Sequence, residues 1–254
     1  YAYCEGRLSR DGSRLGIATR ADIAQLYDTA TGALLHELPL QRHMDDLAMS
    51  PDGRRIAAGF TGGSVRLHDF DTSRTLDVDT SPGSNVMNVE FSPDGALVLV
   101  CTQDGTMALL DFASGTPRAS FPTVPQWTER GVFSPDGALL ATAGYDGVAR
   151  LWRVEGTQLL REFTGHEAWL TDTAFSASGR RLLTSSADGT IRIWSIEDGL
   201  ELLRISSGSG SVDSLFAGPG DSVLLATFRG RDPEVWRLPP ATGPDAAEAL
   251  ADWE

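Results

Sequence analysis

Four histidines (His36, His43, His68, His166), two cysteines (Cys4, Cys101) and a series of Asp-Gly pairs are the side chains with the means for acid-base, nucleophilic or metal chemistry. Their spacing supports none of these. There is no His-Glu-x-x-His pair to grip zinc, no Gly-x-Ser-x-Gly turn to expose a serine, no glycine-rich phosphate loop, and no cysteine with a histidine at comparable depth. The Asp-Gly pairs at 104, 146 and 188 invite a calcium or paired-carboxylate reading, but they recur at the interval of a repeat, where a turn accounts for each. The expectation is a chain that is not an enzyme, with no catalytic residue, no metal and no cofactor.

The elements that would position these residues are visible as two ladders. Ser-Pro-Asp-Gly stands at 50–53, 92–95 and 134–137, with degenerate copies at 9–12, 176–179 and 217–220, so the steps are 41 or 42 residues. In step with it run Leu26-Tyr27-Asp28, Leu67-His68-Asp69, Leu109-Leu110-Asp111, Leu151-Trp152-Arg153, Ile193-Trp194-Ser195 and Val235-Trp236-Arg237. Between the ladders lie alternating apolar runs such as 138–143 and 148–152, joined by Asp-Gly or Gly-Gly pairs, which is the pattern of strand, tight turn and strand. Each unit reads as a small antiparallel sheet, and radial stacking of such sheets covers the faces that one sheet alone leaves open.

With 254 residues, 41% of them hydrophobic, 27 Gly and 13 Pro, the chain has apolar material for a sizeable core and turns for many short elements. Its longest apolar run, 96–101, falls far short of the roughly 18 residues a bilayer-spanning helix needs, so a soluble protein is expected. Against 35 acidic residues stand 21 basic ones, all arginine, and the net charge of -14 speaks against nucleic acid, whose phosphates call for a clustered basic face. Two cysteines at no redox or metal spacing fit a reducing cytoplasm. The lack of lysine beside abundant Ala, Gly and Leu suggests a GC-rich coding genome and a bacterial source.

The run Gly165-His166, Phe175-Ser176 and Ser186-Ala187-Asp188-Gly189-Thr190-Ile191-Arg192-Ile193-Trp194 resembles a WD repeat of the β-propeller class, and the other five units follow its frame over 1–238. The resemblance implies an all-β propeller of four-stranded antiparallel blades, with six repeat units whose inner strands start near 3, 44, 86, 128, 170 and 211, in a ring of six or seven blades. It also implies a buried polar relay of His, Ser or Thr, Asp and Trp. The fifth unit holds it complete as His166, Thr184, Asp188 and Trp194, while the fourth keeps Thr142, Asp146 and Trp152 but has Val124 at the His position. The third keeps only Asp104, whose loss should therefore cost less, and the sixth keeps Trp236 with Gly230 at the Asp position. His68 takes the Trp place of its unit and reads as structural; His36 reads as a solvated residue of an outer strand. Outer strands are expected at about 33–38, 74–79, 117–121, 157–163 and 200–205, and the last unit shows none. Chain upstream of Tyr1, within a larger signalling protein, is expected to supply it. Residues 239–254 read as an acidic tail with a short N-capped amphipathic helix.

The same frame puts His43, Asn85, Trp127 and Trp169 where the chain enters each innermost strand, and Tyr145 and Arg229 in the turns between second and third strands, all on one rim. Aromatics exposed on loops make interface anchors, so these six residues form the candidate partner-binding set; the competing reading is that the rings plug neighbouring loops. The expected function is a non-catalytic protein-protein interaction scaffold that binds a protein or peptide, with the acidic balance favouring a partner of basic surface. The alternative is a propeller hydrolase or the gating domain of a propeller peptidase, in which Ser-Pro-Asp-Gly turns also occur. Asp-Gly-x-x-x-x-Trp at 146–152 and 188–194 favours the interaction family.

Overall fold

Within each unit of 41 or 42 residues, several turns cut the chain into strands of four to seven residues, each long enough to cross one small sheet. The computed structural model describes residues 5–19, 22–122, 127–206, 212–218, 221, 223–228 and 231–238. The expected C-terminal helix, Val124, Arg229 and Gly230 lie outside them.

Among the described residues six antiparallel sheets follow one another in chain order, each a simple meander. The first joins β1 (Glu5–Leu8), β2 (Arg14–Thr19), β3 (Ile23–Asp28) and β4 (Leu34–Pro39); the second β5 (Met44–Met49), β6 (Arg55–Phe60), β7 (Ser64–Asp69) and β8 (Arg74–Asp79). The third joins β9 (Val86–Phe91), β10 (Leu97–Thr102), β11 (Met107–Asp111) and β12 (Pro117–Ser120); the fourth β13 (Thr128–Phe133), β14 (Leu139–Gly144), β15 (Ala149–Arg153) and β16 (Gln158–Phe163). The fifth joins β17 (Leu170–Phe175), β18 (Arg181–Ser186), β19 (Thr190–Ser195) and β20 (Glu201–Ser206). The sixth has three strands among the described residues, β21 (Val212–Ala217), β22 (Val223–Phe228) and β23 (Arg231–Arg237). This is the all-β, propeller-type blade architecture expected, with six repeat units and outer strands in the first five.

The chain divides into two compact units, residues 1–128 and 129–254, each holding three sheets. In both, the core lies between successive sheets. Leu26, Leu47, Ile56 and Phe60 fill the space between the first and second sheets, and Leu67, Val86, Val89 and Leu110 that between the second and third. In the second unit Leu151, Phe163, Leu170 and Trp194 pack the fourth sheet on the fifth, and Leu183, Ile193, Val212 and Leu224 the fifth on the sixth. Packing against the fourth sheet on one face and the sixth on the other explains why β18 is buried end to end, where a sheet with one wet face would alternate.

The connection between first and second strands is a recurrent cage. Ser50, Ser92 and Ser134 are buried, and each donates its hydroxyl to the aspartate two residues on, at 2.6, 2.5 and 2.6 Å. The same serine oxygen accepts the N–H of the residue five on, and the aspartate accepts the N–H between. The closing glycine has φ between 68° and 74° at 53, 95 and 137, a left-handed conformation that glycine adopts without strain. The degenerate turn at 176–179 has Ser178 in place of the aspartate, and Asp221 reaches over from the sixth sheet to accept its N–H at 2.8 Å and its hydroxyl.

Candidate functional site

The fifth sheet carries a continuous polar chain. Trp194 Nε1 donates to Thr184 Oγ1 at 2.8 Å, Thr184 Oγ1 lies 2.9 Å from His166 Nε2, and His166 Nδ1 lies 2.9 Å from Asp188 Oδ2. A carboxylate only accepts, so Nδ1 carries the proton, Nε2 accepts from the threonine, and one tautomer satisfies every member. Burial holds His166 below the ordinary histidine pKa and Asp188 counters this in part, so the ring is neutral near pH 7. For Asp188 burial pushes upward, but hydrogen bonds from the Thr190 hydroxyl, the Glu167 N–H and His166 outweigh it and hold the carboxyl well below its usual range.

Thr184, His166 and Asp188 stand in the order of a nucleophile, a base and an orienting carboxylate. Their placement removes the chemistry: the His166 and Asp188 side chains are 1% and 7% exposed, Thr184 is fully buried, and its oxygen is already an acceptor for indole. The chain instead pins a loop. Besides the His166 contact, the Glu167 N–H donates to Asp188 at 3.0 Å, the Ser186 hydroxyl to the Ala168 carbonyl at 3.0 Å, and the Ala187 N–H to the Trp169 carbonyl at 3.0 Å. Residues 166–169 are thereby fixed to the β18–β19 turn.

That loop presents Trp169, whose ring stacks on Tyr145 from the β14–β15 turn of the fourth sheet, with centroids 5.3 Å apart and planes 10° from parallel. The two rings remain 43% and 40% exposed. The approach of the two loops depends on Gly147: its φ is 77°, and a Cβ there would lie 2.9 Å from the Ala168 carbonyl oxygen. Tyr145 and Trp169 form an aromatic platform held by backbone on both sides.

The fourth sheet departs from the expected relay. Trp152 Nε1 donates to Thr142 Oγ1 at 3.0 Å, but Asp146 turns to Arg150, with contacts of 3.2 and 2.6 Å, and Arg150 also reaches Glu162 at 2.9 Å. With no histidine to hold it, the carboxylate takes the cation four residues on. The third sheet also differs from a lone aspartate. Asp104 accepts from Thr102 at 2.6 Å, from the Thr106 N–H at 3.0 Å and from Ser81 at 2.7 Å, and these bonds hold its carboxyl well below the usual range against burial. Ser81, on the loop entering the third sheet, does for Asp104 what His166 does for Asp188.

The remaining rim candidates are placed as follows. In the first unit His43 is exposed and Trp127 is 41% exposed, while the Asn85 side-chain oxygen accepts the Gly62 N–H at 3.2 Å and so caps a turn of the second sheet. His68 is buried against Thr75 at 2.7 Å, and His36 is exposed on β4, stacked on Phe70. Among the described residues no three His, Cys, Asp or Glu side chains are grouped to hold a metal, and no helix is long and apolar enough to cross a membrane.

The family described as "WD domain, G-beta repeat" matches residues 130–153 and 157–195, the stretch that holds both Trp-Thr pairs and the platform. That stretch is similar to WD repeats. A second family, "Anaphase-promoting complex subunit 4 WD40 domain", matches residues 56–129. Proteins named Telomerase protein component 1 from Mus musculus and Rattus norvegicus are each 28% identical over 115 residues, a stretch that covers 45% of this chain and 4% of the relative. Both relatives are mammalian and lend nothing to a bacterial source.

One polar set of these sheets was missed by sequence reasoning. On the innermost strands Asp46 and Asp172 are buried and reach across to the next sheet. Asp46 accepts from Asn88 at 3.0 Å and the Val89 N–H at 2.7 Å; Asp172 accepts from the Leu215 N–H at 2.8 Å and pairs with Arg130 at 3.0 Å. The positions 46, 88, 130 and 172 lie 42 apart, which is the signal that could have found them.

Proposed function

We propose that this chain is a non-catalytic platform on which a protein or peptide partner docks by the rim loops, with Tyr145 and Trp169 as the anchor in the second unit. The observation that carries the reading is the stacked, half-exposed pair on two loops pinned by backbone hydrogen bonds: rigid aromatic area offered to solvent loses little entropy on binding. WD repeats in general serve protein-protein interaction, which agrees with this reading. The burial of Thr184 and His166 in an arrangement with the order of a catalytic triad supports a role other than catalysis. His43 and Trp127 are the corresponding docking candidates of the first unit. As part of the same proposal the chain is the propeller region of a larger cytoplasmic signalling polypeptide, in keeping with relatives of which the match covers 4%.

The test is site-directed crosslinking in the source cells, with p-benzoylphenylalanine placed at position 145 and, in a second strain, at position 180 in the exposed turn before β18. A discrete adduct from 145 that Trp169→Ala abolishes is expected. Adducts from 180 alone would move the docking face, and turnover of ester or peptide substrates by the purified chain would overturn the class.

A further inference from the structure

The platform has a polarity that narrows its occupant. Beside the two rings, Asp146 adjoins Tyr145 and the exposed Glu167 stands two residues before Trp169. The arginines on the strands beneath are engaged by acids: Arg150 by Asp146 and Glu162, and Arg192 by Glu201 at 2.7 Å. Because His166 is neutral, its loop adds no positive charge to offset Glu167. The neighbourhood is therefore net negative around two electron-rich rings. Arg192 itself lies 5.9 Å from the centroid of the Trp194 ring, so this sheet already holds one guanidinium against an indole.

Resting on the platform reading above, we infer that Tyr145 and Trp169 seat an arginine side chain of a basic partner segment, the guanidinium lying over the exposed Trp169 ring with Glu167 as its counter-charge. Planar stacking and charge act together here. A guanidinium is weakly hydrated and lies flat on an aromatic face, whereas a neutral side chain of the same shape would gain the contact area without the attraction to the ring quadrupole or to Glu167.

The experiment uses fluorescence anisotropy with two labelled peptides in a Gly/Ser background, one carrying two arginines and one carrying citrulline at the same positions, which keeps the shape and loses the charge. The arginine peptide should bind with Kd below about 1 mM, and the citrulline peptide about fivefold or more weaker. Trp169→Ala should weaken the arginine peptide about tenfold, Trp169→Phe should restore most of the loss, and Glu167→Gln should cost about threefold and reduce the salt dependence. Arg180→Ala should change nothing. If both peptides bind equally and both lose affinity in Trp169→Ala, the cationic occupant is wrong while the platform stands. If binding is absent, or insensitive to Trp169→Ala in a protein that melts like the wild type, the arginine seat is overturned, and the adduct from position 145 decides the platform separately.

Discussion

Replacing Thr184 by Val removes one hydroxyl from the centre of the relay and almost nothing else, since the two side chains share shape and branching. Two buried groups lose their partner. The Trp194 indole N–H loses its acceptor at 2.8 Å, and His166 Nε2 loses the donor at 2.9 Å. An orphaned buried polar group costs about 1–3 kcal/mol, so with two of them the substitution should destabilise by about 2–6 kcal/mol. Thr142→Val in the fourth sheet is the internal control, because there the hydroxyl serves Trp152 and no histidine, and the cost should be about 1–3 kcal/mol. The assay is a urea titration of the full chain at pH 7.5 followed by far-ultraviolet circular dichroism, with both substitutions repeated in a His166→Leu background. In that background the excess cost of Thr184→Val over Thr142→Val should vanish, as a double-mutant cycle requires of coupled groups. An excess that persists without the histidine, or no excess at all, would refute the chain of donors as drawn.

Asp104→Ala and Asp188→Ala should each cost about 2–4 kcal/mol, because each carboxylate gathers several donors, and a loss at Asp104 under half that at Asp188 in the same titration would restore the sequence-only ranking. Burial holds His166 and His68 below the ordinary value, so the unfolded chain takes up protons below about pH 6.5 that the native chain refuses. Stability should then be full above that pH and fall as pH drops from about 7 toward 5.5, whereas the depressed Asp104 and Asp188 hold their contribution down to about pH 5 and lose it progressively below; His68→Asn with His166→Asn should flatten the Tm profile between pH 7 and 5.5. Gly147→Ala puts a Cβ against the Ala168 carbonyl at a φ of 77°, which should cost about 1–3 kcal/mol and shift the Trp169 emission; an unchanged spectrum would argue against the loop contact.

The period of 41 or 42 residues made the sheets legible because each turn needs its own residue types at fixed offsets, and the strands fall where the alternation places them. The inner strands β5, β9, β13 and β17 begin at 44, 86, 128 and 170, the positions read from the repeat. The relay of the fifth sheet was legible for the same reason: four residue types must coincide in one frame. Competition between partners was not legible. Arg150 captures Asp146 from four residues away, and Ser81 supports Asp104 from 23 residues away. Ser178 recovers a carboxylate from Asp221, 43 residues on, in a different sheet. A single repeat read against its frame shows which residue is missing from a network; it does not show which neighbour fills the vacancy, because that depends on which side chains the stacking of sheets brings within 3 Å.

The candidate site follows the same division. Tyr145 and Trp169 could be placed on loops from the frame, but their stacking depends on two features of packing, the missing side chain at Gly147 and the hold of Asp188 on the His166–Trp169 loop. On the docking proposed above, stability and recognition share one set of hydrogen bonds. A relay with no access to solvent cannot act on a substrate, yet it can decide how precisely an exposed ring is presented, since Asp188 binds the loop two residues before Trp169 and Ala187 binds the Trp169 carbonyl. Order at the platform lowers the entropy a partner must overcome, so substitutions inside the relay should weaken binding by loosening Trp169 even though they lie beneath the surface that the partner touches. Trp169 then couples the buried chain to the exposed one, and the repeat residues that keep the fifth sheet folded are the same ones that fix the loop presenting this ring.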